Sequence, residues 1–397
     1  MRSKTGALVL LALVACLVAS TQAAADDRGS SCAGDERAQH ALSLVSRSQP
    51  INVSASDGDS RYPTLAVSRD SVHVVWEENE RVHHGLYRGG SWSLPRSVAV
   101  GQQPAVAVDG SDRAHVAFVN LFGGNYEVYY CRWENASWTL PRNVSNTSGV
   151  SSAPALAIAP DGTPHVVWAD TTPGYSVIYH GYWNGTYWLN APIPHALGGT
   201  PAVAVGRDGT VHVAWQDRDW PDAPYEIYYS RWDGTLWSLP ENLSDSEAQA
   251  SLIPSVSVDE HGQAHVSWQE RDDDQYAIYY TWGRVGLWSI AEKVSDGEAE
   301  AYLPSLTVSQ TGTVFVGWDE STVALYRRRS ITTVDWSRPL EVVCDPLGVV
   351  DLRLSVDARG TLHAVWGERT GGGRWDVFYQ ELSYRVALPM ICRDGQR

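Results

Sequence analysis

Two arginines carry the most specific chemistry in the chain. Arg353 is the second residue of a short apolar strand whose counterparts hold only small residues, Thr64, Ala105, Ala155, Ala202, Ser255 and Ser305. Arg61 opens the first of these strands, next to Tyr62. A guanidinium is planar, permanently charged and forked, so two of them converging suit a carboxylate or a sulfate. Tyr62, Gln103, Tyr302 and Asp351 fall at or beside equivalent strand starts and are expected to surround the same ligand. Trp220, among Asp217, Asp219 and Asp222, is an aromatic outside any repeated slot and suits stacking on a sugar face. Plainer readings exist: an ion pair between Arg353 and Asp351, a solvated Arg61, a Trp220 that only caps its loop.

Other polar residues recur too regularly to form one site. His73, His115, His165, His212, His265 and His363 each lie three residues before an aromatic, with Phe315 in the remaining copy. Six copies spread through a repeat cannot converge on one substrate, and Phe315 shows that the slot accepts a hydrocarbon. Packing is the expected role, not catalysis or metal binding. Glu78, Asp170, Asp217, Glu270, Glu320 and Glu368 lie two residues after the same aromatic, with Asn120 in the other copy. A carboxylate there is expected to accept backbone N–H bonds from the loop it opens. The alternative is an acidic rim. The clusters around Asp217–Asp222 and Glu270–Asp274 could offer oxygens to Ca²⁺ but lack the pattern of an EF-hand loop. No other cofactor is implied, for there is no Gly-rich phosphate loop, no Gly-x-Ser-x-Gly and no zinc-type Cys/His spacing.

What must position these residues is a unit repeated seven times. Its aromatic is Trp76, Phe118, Trp168, Trp215, Trp268, Trp318 or Trp366. An inner strand such as Pro201–Val205 and a tight turn such as Asp208-Gly209 lead to the strand that ends on it. Paired aromatics such as Tyr228-Tyr229 mark a third strand. A Gly-x-x-Trp-like turn then opens a fourth, at Trp92, Trp138, Trp188, Trp237, Trp288 and Trp336. A period of roughly 40–50 residues with four short strands per unit marks a propeller. The seventh unit stops at its third strand, while Ser46–Ser54 matches the end of a fourth. The chain is therefore expected to be an all-β, seven-bladed β-propeller of four antiparallel strands per blade, its last blade closed by an N-terminal strand. The second-to-third and fourth-to-first loops share one face, are read as long and variable, and would hold a site. Closure would also bring Arg353 of the last blade to Arg61 of the first.

Composition sets the context. Eighteen Trp and nineteen Tyr beside four Phe suit strands and polar-tipped aromatic layers. Residues 1–25 read as an export signal, 26–43 as a leader, 44–383 as the propeller and 384–397 as a tail. Leu13-Val14-Ala15-Cys16 also fits a lipobox, which would leave the protein lipid-anchored through Cys16 instead of secreted. Net charge of −16 argues against nucleic acid and anionic membranes as partners. A monomer without a transmembrane span is expected. Cys32, Cys131, Cys344 and Cys392 allow three disulfide pairings; a Cys32–Cys392 tie would join the chain ends, and Cys131 reads as a free packed thiol. The Asn-x-Ser/Thr sequons at Asn52, Asn143 and Asn242 share one place in the repeat and are expected to serve the turn after the fourth strand.

The Gly-x-x-Trp turn resembles the Asp-box, or bacterial neuraminidase repeat, of sialidase-like propellers, Ser-x-Asp-x-Gly-x-Thr-Trp. The best copy, Ser230-Arg231-Trp232-Asp233-Gly234-Thr235-Leu236-Trp237, keeps Ser, Gly and Trp and displaces the Asp. Arg61-Tyr62-Pro63 is similar to the Arg-Ile-Pro that opens the family's first inner strand. The resemblance implies a propeller and, for a sialidase, an arginine cluster on the substrate carboxylate, a Tyr–Glu nucleophile pair and an Asp acid. Arg61 and Arg353 are the residues assigned to that carboxylate. The leading expectation is an extracellular recognition module for a glycan or another surface ligand on the loop face. A sialidase-like glycoside hydrolase is the alternative, and a protein-interaction scaffold a third.

Overall fold

The computed structural model describes residues 48–382 except 219–222, 247–248, 273, 298, 331–332 and 334. Every regular element among them is a strand, and the strands form seven separate antiparallel sheets, the blades of a propeller. Blade 1 runs through Ser60–Val67, Ser71–Glu78 and Arg81–Arg88 to short outer pieces at Ser91–Trp92 and Arg96–Val100. Blade 7 holds Val349–Val356, Leu362–Arg369 and Trp375–Leu382, and Ile51–Asn52 completes it from the other end of the chain. At this seam Ile51 faces Tyr379 and Asn52 faces Phe378. Val53 N–H donates to the Val377 carbonyl at 2.8 Å, and Asn52 Nδ2 donates to Asp376 at 2.9 Å. The ring thus closes without an open edge.

One interior plan serves each blade. The repeated aromatic is fully buried and, except in blade 6 where Leu325 lies opposite Trp318, stacks on a third-strand ring, as Trp168 does on Tyr179 at 5.6 Å between centroids. The six repeated histidines are buried, and each engages its Nδ1 inside its blade. Nδ1 of His115, His212, His265 and His363 meets the hydroxyl of Tyr130, Tyr229, Tyr280 and Tyr379 at 2.5–2.8 Å. His73 and His165 meet His84 and His180 at 3.0 Å instead. Phe315 packs on Tyr326 in the blade that has no such histidine. Edge-on against this inner ring stands the outer tryptophan of the next blade: Trp92, Trp138, Trp188, Trp237, Trp288 and Trp336 lie 4.8–5.3 Å from their partners. These T-shaped contacts bolt each blade to its neighbour.

The recurring carboxylates have a different main partner from the one expected. Glu270, Glu320 and Glu368 accept the indole N–H of Trp268, Trp318 and Trp366 at 2.7–2.8 Å, and Asp170 accepts that of Trp168 at 3.2 Å. Backbone acceptance is seen too, as at Asp170 from Thr172 N–H. Asn120, the exception, follows Phe118, which has no N–H to satisfy. The second-to-third connections are also shorter than expected. In blades 1, 2, 5 and 6 they are two-residue links, for instance between Ser71–Glu78 and Arg81–Arg88. Asn52, Asn143 and Asn242 each accept a backbone N–H three residues on, closing the turn after the fourth strand. Cys131 is a buried free thiol. Cys344 is disulfide-bonded to a partner outside the described residues, where Cys16, Cys32 and Cys392 also lie.

Candidate functional site

Seven kinks ring one end of the inner strands. Each inner strand slips register against the second strand, from Arg61/Thr64 in blade 1 to Val350/Arg353 in blade 7. At each slip one non-glycine residue takes a left-handed φ of 48–59°: Tyr62, Gln103, Ala153, Thr200, Ile253, Leu303 and Asp351. Such a bulge re-aims its side chain and costs on the order of 1 kcal/mol or more, so the surroundings must hold it. They do so through the residue after the anchor aromatic of the preceding blade. Glu77 accepts the N–H of Gln103, Gln216 that of Ile253, Gln269 that of Leu303 and Asp319 that of Leu352, all at 3.0–3.2 Å. Between blades 2 and 3 the strap is Gln103 itself, which accepts the Ala153 N–H at 2.9 Å.

Blade 7 has no strap to offer, because the residue after Trp366 is Gly367. What remains at the seam with blade 1 is a narrow crevice of about 10 Å³, room for about one water, lined by Arg61, Tyr62, Val350, Asp351, Gly367 and Trp375 among others. Arg353 stands beside it. Its Nη1 donates to the Leu352 carbonyl at 3.1 Å and its Nη2 lies 3.8 Å from Asp351. Arg61 donates from Nε to Asp59 at 2.6 Å. Both guanidiniums keep about a third of their surface in solvent, 37% for Arg61 and 34% for Arg353.

Buried acids lie beneath them. Burial raises the pKa of Asp351, opposed by the charges of Arg353 and then Arg61, so both arginines act on one carboxyl group. Asp319 is pushed up to about 7, first by burial and then by the neighbouring Asp351. Burial likewise raises Glu77. Near neutral pH the seam is therefore less negative than its sequence suggests, although the partly exposed Asp59 pairs with Arg61. Burial raises the Tyr62 phenol as well, with Asp351 and Glu77 adding to the shift. Among the described residues no carboxylate accepts a hydrogen bond from it. The arrangement can hold an anion and an adjoining ring; it does not activate the phenol as a nucleophile.

The residues singled out in the sequence divide accordingly. Arg61, Tyr62, Asp351 and Arg353 come together at the seam. Gln103 spends its side-chain carbonyl on the inter-blade strap. Tyr302 is buried in blade 6 against Tyr276, at 5.4 Å between ring centroids. Trp220 lies outside the described residues, as do Asp219 and Asp222. No group of three His, Cys, Asp or Glu among the described residues could hold a metal ion, and Asp272 of the other acidic cluster pairs with Lys293 at 2.8 Å. Gly367, Trp375, Asp319 and Glu77 were not singled out. Gly367, like Val119 and Ala169 at the same place in blades 2 and 3, lacks the hydrogen-bonding side chain of Glu77, Gln216, Gln269 and Asp319.

Fold and repeat together define a seven-bladed β-propeller. Among solved structures the chain is similar to an ulvan lyase of polysaccharide lyase family PL25, with a TM-score of 0.63 at 10% identity over 83% of this chain and 95% of that one. It is also similar to the polysaccharide lyase Uly1, with a TM-score of 0.54 at 15% identity over 83% and 90%. The NanB sialidase of Streptococcus pneumoniae follows, with a TM-score of 0.49 at 11% identity over 88% and 72%. At these identities the likeness is one of fold. No protein-family profile matches the sequence, and no curated protein matches it either. No helix among the described residues is long and apolar enough to cross a membrane.

Proposed function

We propose that the chain is an extracellular recognition module that binds an acidic glycan at the seam of blades 7 and 1. Arg61 and Arg353 would hold the carboxylate or sulfate, and Tyr62 would pack beside the sugar ring. The carrying observation is the pair of partly exposed guanidiniums, Arg61 and Arg353, at a seam where Gly367 supplies no strap. A propeller of the same fold, the PL25 ulvan lyase, has been solved bound to -[GlcA(1-4)Rha3S]-, which supports an acidic saccharide as the ligand class. The export-type N-terminus supports the extracellular setting. Binding is favoured over sialidase chemistry because burial raises the Tyr62 phenol and, among the described residues, no carboxylate bonds to it.

Calorimetric titration with uronate-containing and sulfated oligosaccharides tests this. Arg353→Ala and Arg61→Ala should each weaken binding tenfold or more, equivalent to about 1.4 kcal/mol. Gly367→Gln, which supplies the strap found in blades 4 and 5, should block the crevice while leaving the folded circular dichroism spectrum intact. Wild-type affinity in both arginine variants would remove the proposal. Hydrolysis of a fluorogenic sialoside that disappears in Arg353→Ala would favour the enzyme instead.

A further inference from the structure

The opposite face of the ring carries a second opening, unrelated to the seam. Between blades 3 and 4, where the tight turns emerge, a solvent-open groove of about 770 Å³ runs past His165, Tyr182, Asn184, Arg207, Asp208 and Trp232. Its floor is aromatic. Trp232 of blade 4 lies 5.2 Å from Tyr182 of blade 3 and 5.9 Å from His165, between ring centroids. Tyr182 and Trp232 are both partly exposed there.

His165 distinguishes this groove from the corresponding place in other blades. In each of the other five blades with the repeated histidine, a hydroxyl or carboxylate stands within 3.7 Å of Nε2. These are Ser71, Asp109, Thr210, Asp259 and Asp357. Asp109, Asp259 and Asp357 occupy the residue just before the first hairpin turn, and blade 3 has Ala159 there. His165 is only 4% exposed, its Nδ1 is engaged by His180 at 3.0 Å, and its Nε2 meets no partner among the described residues. Unlike His265 Nε2, which is buried without a hydrogen-bond partner, His165 Nε2 is not sealed from solvent, so it opens on the groove where a ligand polar atom can reach it.

We propose that this groove is a binding site for a neutral saccharide, with a pyranose ring against Tyr182 and Trp232 and a hydroxyl on His165 Nε2. Burial pulls the His165 pKa down to about 4 and that of His180 to about 3, so both rings are neutral at physiological pH. Nε2 is then a donor or an acceptor according to the tautomer, and a sugar hydroxyl satisfies either. The rim disfavours an anion. Asp161 and Asp208 are exposed on it, and Arg207 lies 3.8 Å from Glu260 of the next blade. Asn184 spends its carbonyl on the N–H groups of Thr186 and Tyr187, which leaves its amide N–H₂ to reach a second hydroxyl. The ligand class therefore differs from that of the seam.

The test is a titration of the full chain with neutral hexa-oligosaccharides of glucose, xylose, mannose and galactose, read by tryptophan fluorescence and by calorimetry. At least one should bind with a Kd below about 1 mM. Ala159→Asp inserts the residue that three other blades already carry, so the fold should persist while His165 gains its own partner; affinity should fall tenfold or more. Asn184→Ala should weaken binding severalfold. Arg353→Ala and Gly367→Gln should leave it unchanged, so this site and the seam can fail separately. The proposal is overturned if no neutral oligosaccharide binds, or if Ala159→Asp binds as the wild type does.

Discussion

Asp319 is a carboxyl group buried beside a second one, Asp351, and it bonds across the interface between blades 6 and 7 to the Leu352 N–H at 3.2 Å. Folding raises its pKa from 3.8 to about 7, so the folded state holds this proton more tightly than the unfolded chain does. The stability it contributes is full below about pH 4 and is lost as pH rises through 7. Asp319→Asn keeps an acceptor for Leu352 but cannot ionise. It should match the wild type in urea unfolding near pH 4 and be more stable at pH 8, by on the order of a few kcal/mol. A difference that does not change with pH would show that Asp319 is not protonated in the fold. The repeated histidines act in the opposite sense. Burial lowers His165 and His212 to about 4, so their share of stability is present above pH 6.5 and lost on acidification. Measurements on the Asp319 variant must therefore be compared with the wild type at each pH.

At the level of the repeated element, most second strands end in an aromatic and a group that matches it, the exception being Trp215, whose buried indole N–H has no partner among the described residues. Trp268 is fully buried, and its N–H has Glu270 as acceptor at 2.8 Å, which Ser251 steadies at 2.9 Å. Glu270→Ala would leave a buried indole N–H unpaired and should cost about 1–3 kcal/mol in urea unfolding. Asn120→Ala, behind Phe118, should cost less than about 0.5 kcal/mol. Similar losses in both variants would mean that the carboxylate serves its loop and not the indole. This pairing was written in the sequence as the coincidence of Phe118 with Asn120, but its meaning depends on knowing that the indole N–H turns toward the strand end. The seven blades and the N-terminal closure were legible because each repeat carries the same aromatic and turn positions, and because the last unit lacks one strand. Pattern breaks also revealed Arg353. Gly367 was missed because a missing side chain matters only once the straps of the other blades are seen. Gln103 and Tyr302 share strand starts with the seam residues, yet the strap and the Tyr276 contact take them elsewhere.

For the whole ring, the blade that completes the fold is also the one that bears the proposed acidic-glycan site. Among the described residues blade 7 is sealed by the paired Ile51–Asn52, by Ser48 bonding to Gln380 and Glu381, and by Val53, which packs with Val74, Trp76, Val377 and Tyr379. Arg353 and Asp351 lie on the blade 7 side of the seam, and Arg61 and Tyr62 on the blade 1 side. Their relative placement depends on this closure, whereas the groove between blades 3 and 4 lies on the far side of the ring. Val53→Asp would put a carboxylate into a site that is 6% exposed, so the N-terminal strand should detach more often. Amide exchange should quicken at Val377, whose N–H donates to Ser54 at 3.0 Å, ahead of any change in blades 3 and 4. Affinity for an acidic oligosaccharide should fall severalfold while that for a neutral one at the distant groove stays constant. Equal loss at both sites would mean that the ring melts as one unit. Retention at both would mean that the seam residues hold their geometry without the strand.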